Sequence, residues 1–168
     1  MERNQYDRRD CMEMGERAEI AFVQMALARG WKVNRSSEDQ DINEHWDFLI
    51  EKDGKSYRID VKSMKREQET DNVQDIWTWI EFKSVKENEP GWLFGSADIV
   101  AFERTSSFVL VKRSDLVDLA NRSVDMNSCV KSAKEAKYKL YQRAGRHDLI
   151  SMIELEKLND ILWEEWKK

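Results

Sequence analysis

The chain is predicted to be an α/β domain built on one mixed sheet, because three patterns follow one another along it. A helix-spaced apolar set comes first, short alternating segments follow, and the last third mixes both periods. With 168 residues, 40% of them apolar and seven tryptophans, the chain has enough material for a buried core. We therefore expect a single domain over 1–168, with a core at about 11–112 and a C-terminal hairpin and helix at about 131–168.

Gly15 to Phe22 opens a helix that runs to about Arg29, with Ala18, Phe22, Met25 and Ala26 at helical spacing. Gly30 is placed to end it. Trp31-Lys32-Val33 begins a strand, and Arg35 to Glu44 is a polar loop. Two strands follow at about 46–51 and 56–63, turned through Asp53-Gly54, a dipeptide suited to a two-residue hairpin. Lys65 to Gln74 is a charged, mobile connection. Ile76 to Phe82 alternates as a further strand of the same sheet, with Trp77 and Trp79 on one face and Thr78 and Ile80 on the other. Their packing against the core or a second subunit is favoured over base stacking. Pro90-Gly91 is a turn, and residues 97–102 and 108–111 are strands. Ser114 is placed to cap a helix, with Asp115 in its first turn. Residues 138–141 and 149–153 form a hairpin turned at Ala144-Gly145. A final helix carries Leu155, Leu158, Ile161, Leu162 and Trp166.

Several function classes are excluded at this stage. No run approaches the roughly 18 apolar residues of a membrane span, and Met1 to Gln5 has no apolar signal region. Cys11 and Cys129 lack metal-type spacing and read as free thiols of a reducing compartment. The expected location is cytoplasmic, or the host-cell cytoplasm for a phage-encoded protein. Neither a P-loop nor a dinucleotide-binding glycine pattern is present. A net charge of −5 disfavours indiscriminate DNA coating. Lys131, Lys134, Lys137, Lys139, Arg143 and Arg146 nevertheless stand against the single acid Glu135 and suggest an anionic partner.

The chemistry is concentrated in Trp46-Asp47-Phe48-Leu49-Ile50 and Tyr57-Arg58-Ile59-Asp60-Val61-Lys62. Strand alternation puts Asp60 and Lys62 on one face and Ile59 and Val61 on the other, and the hairpin brings Asp47 alongside. Acid-x-Lys recurs at Asp53/Lys55, Glu81/Lys83, Glu135/Lys137 and Glu165/Lys167, and chance alone supplies about three such tripeptides. What separates Asp60/Lys62 is an apolar opposite face and a preceding acid-bearing strand. Glu81/Lys83 is its one serious competitor. Two carboxylates beside an ammonium suit a hard divalent ion, with Asp47, Asp60 and the Val61 carbonyl as ligands. Lys62 would orient or deprotonate a water or stabilise a phosphorane. Glu19 or Glu16 on the first helix would reach the same place, and Glu19 lies nearer the packed face. His45, two residues before Asp47, is a candidate ligand or water shuttle. Lys65 and Arg66 would meet a neighbouring phosphate, and Lys134, Lys137 and Arg143 would track a nucleic-acid backbone.

These segments resemble the PD-(D/E)xK nuclease superfamily, which includes restriction endonucleases and Holliday-junction resolvases. The resemblance covers about residues 15–66: Gly15-Glu16-Arg17-Ala18-Glu19, Gly30-Trp31-Lys32-Val33, Trp46 to Ile50, and Gly54 to Ser63. Trp46 stands where the motif's proline would be. The resemblance implies a three-layer restriction-endonuclease-like fold with a central mixed sheet flanked by helices. It also implies Mg²⁺, with Mn²⁺ substituting, held by Asp47 and Asp60, with Glu19 as supporting acid and Lys62 as the catalytic lysine. The expected activity is DNA phosphodiester hydrolysis in repair, recombination or phage DNA processing, by a homodimer or with a protein partner supplying specificity. The alternative is a non-catalytic nucleic-acid-binding or assembly module on the same fold.

Overall fold

The computed structural model describes residues 5–68 and 71–168. Of the two segments read above at its margins, Met1 to Asn4 and residues 69 and 70 of the charged connection lie outside these. The first helix, α1 (Gln5–Ala28), begins ten residues before the predicted Gly15. It ends as expected: Gly30 has a φ of 84°, and the Trp31 amide donates to the Ala26 carbonyl at 3.0 Å.

Among the described residues the strands form two sheets rather than the single one expected. The first contains β1 (Lys32–Arg35), β2 (Phe48–Lys52), β3 (Lys55–Lys62), β5 (Ile99–Glu103), β6 (Ser107–Lys112) and β10 (Leu162–Lys167), in the order β1-β2-β3-β5-β6-β10. Only the β3–β5 pairing in it is parallel. The second sheet runs β4 (Trp77–Lys83), β9 (Leu149–Glu154), β8 (Lys139–Tyr141), β7 (Asp125–Val130). The tryptophan-rich strand therefore belongs to a different sheet from the acidic hairpin.

The six-stranded sheet is the middle of three layers. Ile99, Ala101, Phe108 and Leu110 face α1, where they meet Ala18, Phe22 and Ala26. Val100, Phe102, Val109 and Val111 point the other way, onto Ile80, Phe82 and Ile153 of the second sheet and Leu116 and Leu119 of α2 (Arg113–Ser123). Burial on both faces explains why β5 and β6 read as continuous apolar runs. Phe22 is fully buried and stacks on Trp166 with ring centroids 5.3 Å apart. Burying a side chain of that size contributes about 1.5–3 kcal/mol.

Two sequence expectations change here. Ser114 does not cap α2: β6 runs straight into it, Lys112 is the cap residue, and no side chain bonds the helix end. Arg113 instead anchors the junction, its Nε donating to the Ala97 carbonyl at 2.7 Å. The final helix is replaced by 3₁₀ turns over Leu155–Ile161 and then β10. Leu155 and Leu158 do turn inward at helical spacing, but Trp166 reaches the α1 core from an edge strand paired to β6. The 138–153 hairpin is present as β8 and β9, with Gly145 at a φ of 72° in its loop. No helix among the described residues is long and apolar enough to cross a membrane.

Candidate functional site

The acidic hairpin forms with the predicted register. Phe48 pairs with Ile59 and Lys52 with Lys55, and Asp53 and Gly54 both take positive φ (52° and 74°) in the two-residue turn. Asp47 lies one residue beyond the Phe48–Ile59 pair. Its amide donates to the Ile59 carbonyl at 2.7 Å, and its carbonyl accepts the Ser36 amide at 2.8 Å. Its Oδ2 accepts the Val61 amide at 2.7 Å. Ile59 and Val61 belong to the core beneath α1, so Asp60 and Lys62 take the opposite face, towards the second sheet.

Asp47 is 8% exposed and Asp60 4%. Lys62 Nζ lies 3.0 Å from Asp60 Oδ2. Among the described residues the Lys62 ammonium is the one group set against this buried Asp60 oxygen. Burial, followed by the charge of Asp60, pushes the Asp47 carboxyl up to about 8, against the Val61 amide and Lys62. Burial also raises Asp60, opposed by Lys62 and His45. Two neighbouring carboxyls out of water resist ionising together, and a bound cation would relieve that cost.

Glu19 is near but not joined to this pair. Its Oε2 accepts from Arg35 Nη2 at 3.1 Å, while its charge contributes to raising Asp47. Burial raises Glu19 itself, against Arg35. Glu16 is exposed. Among the described residues no three His, Cys, Asp or Glu side chains converge in metal-ligand geometry. The donors still fit Mg²⁺, which typically takes one or two carboxylates and keeps several waters. The buried Asp60 carboxyl, paired among the described residues with Lys62 alone, and its raised neighbour Asp47 are the observations that favour such an ion.

Lys65 is half-buried as a whole residue, yet its ammonium is enclosed. It donates to Ser63 Oγ at 3.3 Å, and burial followed by the charge of Lys62 lowers its pKa. The base of the charged connection is stapled rather than mobile. Gln74 Nε2 donates to the Lys65 carbonyl at 2.9 Å and Trp79 Nε1 to the Arg66 carbonyl at 3.0 Å. Of the predicted backbone-tracking residues, Lys134 is exposed. Lys137 is paired with Glu67 at 3.2 Å and lies over the Trp77 ring. Arg143 Nε donates at 2.9 Å to Asp148, which is fully buried, giving the arginine a structural duty.

Glu81 had drawn notice only as a competing acid-x-Lys. It is half-buried, and burial raises its pKa against the Trp92 amide, Lys62 and His45. The second sheet thus brings a further acid into the field of the site. His45, in a left-handed conformation (φ 58°), abuts the turn at Gly95. The signal that points to Glu81 is Trp92 directly after the Pro90-Gly91 turn.

No family model matches the chain. No curated protein matches it. A solved bacterial homing endonuclease, I-Ssp6803I, is similar over 64% of this chain and 72% of its own, with a TM-score of 0.47 and 16% identity.

Proposed function

We propose that this chain is a divalent-metal-dependent nuclease that hydrolyses DNA phosphodiester bonds. The observation that carries the reading is the buried Asp47–Asp60 pair with Lys62 Nζ 3.0 Å from Asp60. A structural core has no use for two adjoining carboxylates whose desolvation is incompletely offset. A phosphodiesterase does, because a hard cation needs oxygen ligands next to a group that meets the phosphate.

Asp47, Asp60 and the Val61 carbonyl would hold Mg²⁺ or Mn²⁺. When bound, the ion supplies a water of lowered pKa and neutralises charge on the phosphate. Lys62 presents an ammonium to a phosphate oxygen and stabilises its developing charge. Glu19, anchored by Arg35, adds negative potential behind Asp47. The exposed Lys134 would meet a flanking phosphate, whereas the enclosed Lys65 ammonium stays within the fold. The biological setting we infer is repair, recombination or phage DNA processing, with a homodimer or a partner protein supplying strand geometry or specificity.

The engagement of Glu19 with Arg35 favours a second reading, a non-catalytic nucleic-acid-binding or assembly module on this fold. A cleavage assay separates the two. Labelled duplex, single-stranded and four-way-junction DNA, with a matched RNA, would be incubated with Mg²⁺, Mn²⁺ or EDTA, using wild type and Asp60→Asn. The expected result is metal-dependent cutting that disappears in the variant. Tight metal-independent binding without cutting would establish the module instead.

A further inference from the structure

Lys62 is held from two sides. Its Nζ is 3.0 Å from Asp60 Oδ2 and 4.4 Å from the centroid of the Trp92 ring. A cation over an indole face is attracted by the ring quadrupole, most strongly where water is excluded. Only 19% of the Lys62 side chain is exposed. A lysine stem has several rotatable bonds, so an ammonium at the mouth of a site samples many positions unless something confines it.

The turn that carries the indole is fixed through its backbone. Trp92 belongs to a short 3₁₀ turn, Trp92–Phe94, in the link from the second sheet to the first. Its amide donates to Glu81 Oε1 at 3.2 Å, and its carbonyl accepts the Gly95 amide at 3.0 Å. The Gly91 amide donates to the Phe82 carbonyl at 3.0 Å. A β-carbon at Gly91 would lie 2.3 Å from the Glu81 carbonyl oxygen, a backbone atom that cannot step aside. Beyond the turn, the Ser96 amide reaches the Glu44 carbonyl at 2.7 Å, beside His45. The ring sits edge-on to Phe102, the residue in register with Lys62 across the β3–β5 pair.

We propose that Trp92 is a positioning residue, whose indole face clamps the Lys62 ammonium against Asp60 while Glu81 and the Gly91 turn fix the backbone that carries the indole and Phe102 packs against the ring. An indole serving only as packing would give its face to apolar neighbours. Here the face is given to a charged group that β3 of the six-stranded sheet extends towards the turn. The proposal rests on the reading of Lys62 as the lysine that meets the phosphate.

The test uses wild type, Trp92→Phe and Trp92→Leu, with two readouts. The first is the ¹H–¹³C resonance of the Lys62 ε-methylene in metal-free protein, assigned by its loss in Lys62→Ala. Ring current should shift it upfield in wild type, Trp92→Phe should keep most of the shift, and Trp92→Leu should lose it. The second is DNA cleavage with Mg²⁺. Trp92→Leu should lower kcat roughly 2- to 30-fold with little change in KM, and Trp92→Phe should recover most of the loss. An unshifted Lys62 resonance in wild type overturns the clamp, and that spectrum does not depend on whether a variant folds. Equal losses in Phe and Leu, or a loss confined to KM, would also overturn it. Wild type that cleaves nothing yet shows the shifted resonance removes the nuclease reading and leaves the clamp standing.

Discussion

Asp47 Oδ2 accepts the backbone amide of Val61 at 2.7 Å, so a side chain at the entry to β2 bonds the backbone between Asp60 and Lys62. This bond fixes the spacing of the two acids by covalent geometry on one strand and one hydrogen bond across to the next. It also commits one Asp47 oxygen to the fold and leaves the other for chemistry.

Asp47→Asn should therefore stabilise the metal-free protein while abolishing cleavage. The replacement keeps an oxygen for the Val61 amide and removes a carboxyl that burial and Asp60 force to take up a proton on folding at pH 7. We expect a gain of about 1–3 kcal/mol at pH 7 in EDTA. Urea denaturation reads it, and a lower midpoint than wild type would show that the acids are not a liability to the fold.

Lys62→Ala should lower turnover on the order of 100-fold or more, while Mn²⁺ affinity changes much less. Isothermal titration beside single-turnover kinetics distinguishes the two effects. Loss of metal binding with turnover preserved at saturating metal would contradict the role given to Lys62.

Trp166→Ala tests the C-terminal strand. Trp166 is 3% exposed, stacks on Phe22 and carries the Arg29 guanidinium 5.2 Å from its ring centroid. Deleting it opens a cavity between α1 and the sheet and should cost about 3–5 kcal/mol. A denaturation midpoint unchanged from wild type would mean that β10 is not docked.

Acid sensitivity should trace in part to Asp75. Burial works to raise its pKa, but hydrogen bonds from the Thr105 amide (2.9 Å) and the Arg104 guanidinium (2.9 Å) outweigh it and lower it overall. The folded protein then binds this proton less readily than the unfolded chain. The stabilisation is present above the ordinary aspartate value and is lost as pH falls through the folded one. Asp75→Asn should reduce stability by about 1 kcal/mol at pH 7 and leave a smaller fall in stability below about pH 4. A variant whose stability parallels that of wild type down to pH 2 would refute the assignment.

The acidic hairpin was legible because every local signal in it agrees. Asp53-Gly54 demands its turn, strict alternation sets the faces of Ile59, Asp60, Val61 and Lys62, and register follows from loop length. The C-terminal segment was misread because Leu155, Leu158 and Leu162 carry a helical period. That period is satisfied by 3₁₀ turns only as far as Ile161, after which the open edge of β6 captures residues 162–167. An unpaired edge offers a row of backbone donors and acceptors that a helix does not need, and no pattern within 155–168 announces where that edge lies.

The sequence by itself determined the hairpin, its two-residue turn and the shared face of Asp60 and Lys62, since these depend on strand alternation and the turn between adjoining segments. Only the tertiary structure decided that β4 joins a second sheet, that Glu19 turns to Arg35, and that Trp92 lies over Lys62. Those relationships join residues 16 to 30 positions apart or more, and they arise from how layers stack to bury their faces. Period and propensity carry no information about such stacking.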